Sequence, residues 1–287
     1  MKSKNLKKTA SELLGLRPNQ SIALLQALHI VTRDGGINQD SRRKLKQVDH
    51  LTQFIAPLLN DVRQRNAGKV CLVDHGAGKS YLGFILYDLC LKQDPEGARV
   101  IGVETRSELV ERSVQLAVTL GFDRGMTFVN LPVAQATEHP DLPSSVDIVT
   151  ALHACNTATD DAIAFGLAKN AQYFVLVPCC QAEVAAHLRQ KKGGALGRSS
   201  LMEMWRHPIH TREFGSQLTN VLRCLQLEAH GYQVTVTELV GWEHSMKNEL
   251  IVAKKHQHSN PQAAQRLLSL LEEVGLADDA VLRARFV

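Results

Sequence analysis

The chain has 287 residues, of which 44% are hydrophobic, and a formal net charge of +4. This apolar content is enough for a sizeable core, and no run of about 18 apolar residues is present, so we expect no membrane span. The six cysteines are scattered, and the basic start lacks the apolar stretch of a signal peptide. We therefore expect a cytoplasmic protein with reduced thiols.

Basic residues are concentrated near the start of the chain. Residues 1–65 contain twelve Lys or Arg and five Asp or Glu, whereas the rest has a small acidic excess. Apolar spacing predicts a helix from about residue 40 to 65, whose basic face begins with Arg42, Arg43 and Lys46. A solubilising face has the same composition, but concentrated basic charge favours an anionic macromolecule. We predict that these three side chains contact RNA.

The helices of this region have identifiable breaks and caps. Residues 6–31 have helical spacing that Pro18 interrupts. Asp40 or Ser41 is predicted to cap the second helix. Pro57 predicts a kink in that helix or its division into two.

From Lys69 onward, strand-like and helix-like segments alternate, which predicts a parallel, doubly wound α/β sheet. The gap between the last two strands is too short for a crossover helix, so this pair is predicted to be antiparallel. The predicted strands are 70–74, 99–104, 126–129, 146–152, 173–177, 233–239 and 249–254, and the predicted helices are 80–92, 107–120, 158–169, 211–229 and the tail 260–287.

The most informative segment is Val70–Leu82, in which an apolar strand ends at Asp74 and is followed by Gly76, Gly78 and a helix start. Such a turn brings backbone N–H groups close to a nucleotide-like ligand. A carboxylate at the strand end repels phosphate but accepts hydrogen bonds from a cation or a hydroxyl. The segment therefore favours S-adenosylmethionine, which has an ammonium, a sulfonium and a ribose but no phosphate.

Two other nucleotide motifs fit these residues less well. A Walker A loop requires a glycine five residues before Gly78, where the chain has Val73. A dinucleotide fingerprint requires its third glycine where the chain has Tyr81. A P-loop-like nucleotide site and a tight turn without a ligand are the alternatives.

The second predicted strand closes with Glu104, and an acid at this place in a βαβ unit hydrogen-bonds ribose hydroxyls. The alternative is a solvated residue at a strand end. The predicted cofactor-binding residues are Asp74, Gly76, Ala77, Gly78, Lys79, Glu104 and Thr105.

His153, Cys155, Cys179 and Cys180 follow the fourth and fifth predicted strands, whose carboxyl ends face the same ligand edge. These side chains are our candidate catalytic residues. His153 can act as a general base, and a thiolate can add to C6 of a pyrimidine. Zinc binding and burial as apolar thiols are the other interpretations. The adjacent Cys179 and Cys180 lack the usual spacing of zinc ligands, so we expect no metal site.

The loop 189–200 is basic and glycine-rich, and it contains Lys191 and Lys192. It is predicted to fold over a nucleic-acid substrate, with a plain connector as the alternative.

Several of these motifs occur together in one known group. Asp74-x-Gly-x-Gly-Lys with Glu104 resembles the cofactor site of class I S-adenosylmethionine-dependent methyltransferases. More narrowly, the chain resembles the branch with Asp-x-Gly-x-Gly-Lys-Gly-x-Leu, His-x-Cys-Gly-x-Ala-Thr-Asp, Pro-Cys-Cys and a late Glu-His-Thr-x-Lys-Asn segment. The corresponding segments here are Asp74–Leu82, His153–Asp160, Pro178–Cys180 and Glu243–Asn248, after a basic helix at Arg42–His50.

This resemblance implies a seven-stranded, Rossmann-like methyltransferase sheet and S-adenosylmethionine as cofactor. Some members of the branch are tied to tRNA ribose methylation, which implies an RNA substrate and adds Lys247 and Asn248 as substrate contacts. The chain departs from the pattern at Ser80 and Asn156, where the branch has glycine. Ser80 is predicted to act as a helix cap, and Asn156 is predicted to tolerate a left-handed backbone.

We predict a methyltransferase that uses S-adenosylmethionine and acts on RNA. The alternative is a methyltransferase-fold binding or regulatory protein without turnover. The predicted organisation is a basic helical extension over 1–66, a methyltransferase domain over 67–256 and a helical tail over 257–287. The oligomeric state does not follow from the sequence.

Overall fold

The computed structural model describes Arg17 and residues 19–152, 154–190, 200–239 and 249–287. Its seven strands form one sheet in the order β3-β2-β1-β4-β5-β7-β6. The strands are β1 (Val70–His75), β2 (Ala98–Glu104), β3 (Met126–Asn130), β4 (Ile148–Leu152), β5 (Tyr173–Val177), β6 (Tyr232–Glu238) and β7 (Glu249–Lys255).

The first five strands are parallel, and β7 is antiparallel to both of its neighbours. From β1 the chain builds outward through β2 to β3, and then returns to place β4 on the other side of β1. The point between β1 and β4 is therefore the topological switch, where open α/β sheets bind their ligands. This arrangement confirms the predicted seven-stranded, Rossmann-like methyltransferase fold.

Helices lie between the strands in the chain and also before the first strand and after the last one. They are α1 (Ile22–Ala27), α2 (Gln39–Arg65), α3 (Tyr81–Leu86), α4 (Ser107–Leu120), α5 (Ala158–Ala168), α6 (Glu183–Gln190), α7 (Pro208–Ala229), α8 (Pro261–Glu273) and α9 (Ala280–Phe286). A π-helical turn, Tyr87–Leu91, continues α3, and short 3₁₀ turns lie at Val133–Gln135 and Ser200–Trp205.

The long helix α2 corrects two predictions. Its cap is Asn38, whose side chain accepts a hydrogen bond from the Ser41 N–H at 2.8 Å, and not Asp40 or Ser41. Pro57 lies inside one continuous helix. The ring of Pro57 is exposed, while Ile55 and Leu59 on the opposite side are buried. Burial of that apolar face holds the helix together despite the lost backbone hydrogen bond.

The fourth strand begins two residues later than predicted. Asp147 lies just before it, and its Oδ2 accepts from the Cys71 N–H at 2.7 Å while its Oδ1 accepts from Asn66 at 2.8 Å. Asp147 therefore joins the start of β1 to the end of α2, far from the ligand edge.

The C-terminal helices pack on the main body. Leu267 and Leu271 of α8 and Phe286 of α9 share a buried apolar cluster with Val184 and Leu222 of α6 and α7. The tail thus buries its apolar face within the chain. The predicted domain boundaries stay predictions. Across the described ranges, every helix is too short or too polar to span a membrane.

Candidate functional site

The turn after β1 is shaped by two glycines with left-handed backbones. Gly76 has φ +65° and Gly78 has φ +58°, conformations that side-chain-bearing residues rarely adopt. The turn is fixed to β2, because the Ala77 N–H donates to the Val103 carbonyl at 3.0 Å. A Cβ atom at Gly76 would lie 3.4 Å from the Cβ of Ala154, so the loop after β4 packs against this turn.

Glu104, at the end of β2, anchors the same turn from the other side. Its Oε2 accepts the Gly78 N–H at 2.7 Å, and its Oε1 accepts the Arg106 N–H at 3.1 Å and the Thr105 hydroxyl at 3.2 Å. Burial opposes ionisation of this carboxyl, but hydrogen bonds from Arg106 and from Gly78 outweigh it and lower its pKa to about 2. Glu104 is therefore a fixed negative charge at the ligand edge.

The Arg106 side chain covers part of Glu104. Its Nε donates to Oε1 at 3.0 Å and its Nη2 donates to Oε2 at 3.2 Å. The Arg106 side chain is 59% exposed, so it is free to swing into solvent. A ribose that binds Glu104 must displace this guanidinium.

Asp74, in β1, is buried beside the switch point. Its Oδ1 accepts the Thr150 hydroxyl of β4 at 2.7 Å. Burial raises its pKa to about 7, although the hydrogen bond from Thr150 opposes the shift. The side chain borders a cavity of about 240 Å³, whose lining comprises Asp74, Gly76, Ala77, Gly78, Lys79, Tyr81, Leu82, Arg106 and Leu152.

This cavity fits S-adenosylmethionine. Asp74 offers a carboxylate to an ammonium and Glu104 offers one to ribose hydroxyls, while neither suits a phosphate. The glycine turn leaves room beside them, because a Cβ at Gly78 would have its closest contact at 3.7 Å, with Arg106 Nη2. Five of the seven predicted cofactor residues, Asp74, Gly76, Ala77, Gly78 and Lys79, border this cavity, while Glu104 and Thr105 lie behind its wall, where Glu104 contacts Gly78 and Arg106.

His75 is a feature of this motif that the sequence did not single out. It is fully buried at the end of β1, and its ring packs edge-on against Phe165 with centroids 4.5 Å apart. Neither ring nitrogen has a hydrogen-bond partner among the described residues. Burial lowers its pKa to about 3, so the imidazole is neutral at physiological pH.

Ser80 does not cap α3 as predicted. It has φ +53° and ψ +34°, its side chain makes no capping hydrogen bond, and its buried Oγ has no partner within the described ranges. The position therefore needs a left-handed backbone, which explains why glycine suits it better than a capping serine.

We expect Ser80→Gly to stabilise the protein by about 1 kcal/mol. Relief of the left-handed strain and removal of the unsatisfied hydroxyl exceed the extra entropy that glycine gives the unfolded chain. Urea unfolding of the wild type and the variant measures the difference. Ser80→Ala removes the hydroxyl but keeps the strain, so it should gain less. If Ser80→Ala is as stable as Ser80→Gly or more stable, the left-handed backbone at this position is not the source of the gain.

The structure brings three of the predicted catalytic residues together. The sulfur atoms of Cys155 and Cys179 are 3.7 Å apart and those of Cys179 and Cys180 are 3.4 Å apart. Cys155 is exposed and the other two are half-buried. Burial, together with hydrogen bonds to the other two thiols, raises the pKa of Cys179 to about 12. His153 lies outside the described residues.

A buried polar network supports the loops that carry these cysteines. Arg223 of α7 is fully buried and forms a bidentate pair with Asp160 of α5, with Nε–Oδ1 2.6 Å and Nη2–Oδ2 2.8 Å. Its guanidinium also donates to the Asn156 carbonyl at 3.0 Å and to Asn220 Oδ1 at 3.1 Å. Asn220 in turn accepts from Gln181, the residue after Cys180. The network links both cysteine loops to one helix.

Asn156 has φ +53°, which confirms the left-handed backbone predicted for it. Its N–H donates to the Cys180 carbonyl at 2.5 Å, and its Oδ1 accepts the Ala182 N–H at 3.2 Å. The asparagine therefore joins the loop after β4 to the loop after β5.

The predicted substrate residues are only partly described. Arg42, Arg43 and Lys46 are exposed on α2, where Arg42 and Lys46 border a groove of about 350 Å³. The other four, namely Lys191, Lys192, Lys247 and Asn248, lie outside the described residues.

Comparison with known proteins identifies the family. The sequence profile of a family described as a methyltransferase domain matches residues 43–187, which is half of the chain. This range includes the glycine turn, Glu104 and all three clustered cysteines. The comparison with curated proteins finds no significant match.

Solved structures similar to this chain include several methyltransferases. Magnesium protoporphyrin IX methyltransferase from Synechocystis PCC 6803, with bound SAH, is 16% identical; the match covers 82% of this chain and 95% of that one, with a TM-score of 0.46. A rRNA methylase from Streptococcus thermophilus is 10% identical over 66% of this chain and 88% of that one, with a TM-score of 0.40. The assignment rests on the family match: the chain belongs to this methyltransferase-domain family, and S-adenosylmethionine is its cofactor.

Proposed function

We propose that this protein transfers a methyl group from S-adenosylmethionine to RNA. The cofactor supplies an electrophilic methyl group on its sulfonium. In this proposal Asp74 binds the ammonium of the cofactor and Glu104 binds its ribose. The turn Gly76–Lys79 lies along the part of the cofactor that connects these two groups. Thr105 fixes one oxygen of Glu104.

Arg106 has a distinct role in this proposal. Its guanidinium holds Glu104 in place until the ribose hydroxyls replace it, since both sets of groups use the same carboxylate oxygens. Rotation of one exposed side chain is enough for this exchange. The affinity measured for the cofactor therefore includes the loss of the Arg106 contacts.

The position of the basic face of α2 carries the RNA proposal. The end of α2 is tied to the amino ends of the strands, because Asp61 accepts a hydrogen bond from Tyr173, the first residue of β5. With 27 residues the helix is about 40 Å long, so its first turns lie far from the amino ends of the strands. Arg42, Arg43 and Lys46 lie on those first turns.

A chain of contacts joins these turns to the cofactor site. The Ser41 hydroxyl donates to the His29 carbonyl at 3.3 Å. His29, Lys79 and Arg112 border one cavity of about 230 Å³, and Lys79 also borders the cofactor cavity. In this proposal the phosphate backbone runs from the first turns of α2 past Arg112 and Lys79 to the cofactor cavity.

Methyl transfer of this kind is an in-line displacement, for which positioning supplies much of the acceleration. The residues described at the site hold the two reactants. A catalytic role for His153, Cys155, Cys179 and Cys180, the tRNA ribose as acceptor and a cytoplasmic location stay predictions.

Two measurements test the cofactor and turnover. A thermal-shift titration should show stabilisation by S-adenosylmethionine, about 2.7 kcal/mol at 100 times its dissociation constant, and none by ATP. Radiolabelled methyl groups should then enter RNA of a bulk extract. Cofactor binding without labelling would favour a binding or regulatory protein, and labelling confined to protein would exclude RNA as the acceptor.

We expect the triple variant Arg42→Ala/Arg43→Ala/Lys46→Ala to weaken RNA binding about 10- to 100-fold near physiological salt. Each lost phosphate contact also reduces the salt dependence of binding. Fluorescence anisotropy with labelled RNA over a series of salt concentrations measures both effects. Cofactor affinity should stay within about twofold of wild type, because none of the three residues borders the cofactor cavity.

The matched control, Arg124→Ala/Arg212→Ala/Arg283→Ala, removes the same charge from exposed positions on other elements. It should change RNA affinity much less. Equal weakening in both triple variants would mean that net charge, and not the face of α2, determines binding.

A further inference from the structure

The three clustered thiols form a site of their own, separate from the cofactor cavity. The sulfur atoms of Cys155, Cys179 and Cys180 all lie within 4.8 Å of one another. None of the three residues borders the cofactor cavity. They are not joined by a disulfide, because the two sulfur separations that the structure gives far exceed a bonded S–S length of about 2.05 Å.

The separations fit one metal ion. Two thiolates on a tetrahedral Zn²⁺, each with Zn–S near 2.3 Å, lie about 3.8 Å apart. The observed separations are 3.7 Å for Cys155–Cys179 and 3.4 Å for Cys179–Cys180. The third separation, Cys155–Cys180, is at most 4.8 Å, so all three sulfurs lie near the spacing that one ion requires.

Hydrogen bonds join the backbone segments that carry the thiols. Asn156 joins the two cysteine loops through its N–H, which donates to the Cys180 carbonyl, and its side chain, which accepts from Ala182. The buried guanidinium of Arg223 donates a hydrogen bond to the Asn156 carbonyl. Loops fixed in this way present their ligands in place, so that binding requires little ordering of the chain.

We propose that Cys155, Cys179 and Cys180 bind one Zn²⁺ ion as thiolates. Cys155 is exposed, so solvent reaches one side of the site and water has access to a fourth coordination position. The sequence predicted no metal site because Cys179 and Cys180 are adjacent. The structure adds the separations, because it places the thiol of Cys155, in the loop after β4, 3.7 Å from the thiol of Cys179. This inference goes beyond the proposed function and does not depend on it.

The test uses the full-length protein, reduced and freed of metal with a chelator. Titration with Zn²⁺ against a chromogenic chelator should give one ion per chain, and Co²⁺ should give the thiolate charge-transfer and visible bands of a sulfur-rich site. Cys155→Ser and Cys179→Ser should each weaken Zn²⁺ binding at least about a hundredfold. Cys90→Ser, which changes a half-buried thiol in the π-helical turn after α3, should leave it unchanged.

A second measurement does not depend on any variant. Zn²⁺ should protect Cys155 of the wild type from alkylation by iodoacetamide, as read by peptide mass mapping. The same rate of alkylation with and without Zn²⁺ would overturn the proposal. Retention of Zn²⁺ by Cys155→Ser together with loss of methyl transfer would also overturn it, because that result assigns the thiol a nucleophilic role. Circular dichroism and the cofactor thermal shift confirm that each variant is folded.

Discussion

Replacement of Arg223 by alanine is expected to lower the free energy of unfolding by about 3–5 kcal/mol. The side chain is fully buried, and it makes four hydrogen bonds to Asp160, Asn156 and Asn220. Its removal leaves the Asp160 carboxylate buried without its counter-charge, and this uncompensated charge is the largest part of the loss. Equilibrium unfolding in urea measures the change directly.

Two controls separate this explanation from a general loss of charge or volume. Arg212→Ala removes an arginine from an ion pair whose side chains are 63% and 56% exposed, and it should cost at most about 1 kcal/mol. The double variant Asp160→Leu/Arg223→Met removes both charges and refills the space, so it should recover most of the stability lost in the single variant. A double variant as unstable as Arg223→Ala would show that the hydrogen bonds to Asn156 and Asn220, and not the stranded charge, dominate.

Arg223→Ala is also expected to affect the three clustered thiols. Arg223 holds the carbonyl of Asn156, which positions the loop of Cys155. Arg223→Ala should therefore weaken Zn²⁺ binding by the three thiols more than Arg212→Ala does. The comparison is made at a temperature at which both variants are folded.

The sheet could be predicted from the sequence because each of its elements has a local signal. The strands are short apolar runs, turn residues bound them, and the gap between the last two strands is too short for a crossover helix. The glycine turn and Glu104 were predictable for the same reason. They follow directly from two strands, and the carboxyl ends of parallel strands meet at one edge.

The long-range polar contacts had no such signal. Asp160 has the sequence context of a first-turn helix acid, and Arg223 lies in an ordinary amphipathic helix 63 residues further on. Only the tertiary fold, which brings the first turn of α5 beside Arg223 of α7, makes them a pair. The orientation of Asp147 depends on where β4 begins, and the apolar pattern defines that start only to within a few residues.

Ser80 shows a different limit. Its residue type and its place before a helix both predict a capping side chain, and the chain instead uses the position for a left-handed turn. The preference of the whole glycine turn for left-handed conformations overrides the local preference of serine. The sequence did contain one sign of the left-handed turn, because the branch that the chain resembles has glycine at this position.

Replacement of Asp74 by asparagine is expected to weaken binding of S-adenosylmethionine about a hundredfold or more while it stabilises the free protein. In the proposed site the Asp74 carboxylate pairs with the ammonium of the cofactor, and a hydrogen bond to a charged group is worth about 1.5–3 kcal/mol. Without cofactor the same carboxylate is buried with one hydrogen bond, from Thr150. The asparagine keeps an oxygen for that hydrogen bond and carries no charge.

The stability gain should depend on pH. The pKa of Asp74 is raised from 3.8 to about 7 by burial, so its contribution favours folding below pH 4 and is lost as the pH rises through 7. Ionisation of such a group costs the fold about 4 kcal/mol at pH 8. Asp74→Asn should therefore unfold at higher urea than wild type at pH 8, and at nearly the same urea at pH 4. A variant that is less stable at pH 8 would contradict the burial of a charge at this position.

Cofactor binding to the wild type should show the complementary dependence. The ammonium needs the ionised carboxylate, so affinity should fall about tenfold for each pH unit below 7 and change by less than about twofold between pH 7 and 7.5. Thr150→Val removes the hydrogen bond that favours ionisation, and it should move this profile to higher pH without changing any group that contacts the cofactor. Isothermal titration calorimetry from pH 5.5 to 7.5 on wild type, Asp74→Asn and Thr150→Val measures these affinities. If the affinity of wild type does not change over this range, Asp74 is not the partner of the ammonium. If the affinity does change, Glu104 does not account for it, because the pKa of Glu104 is about 2.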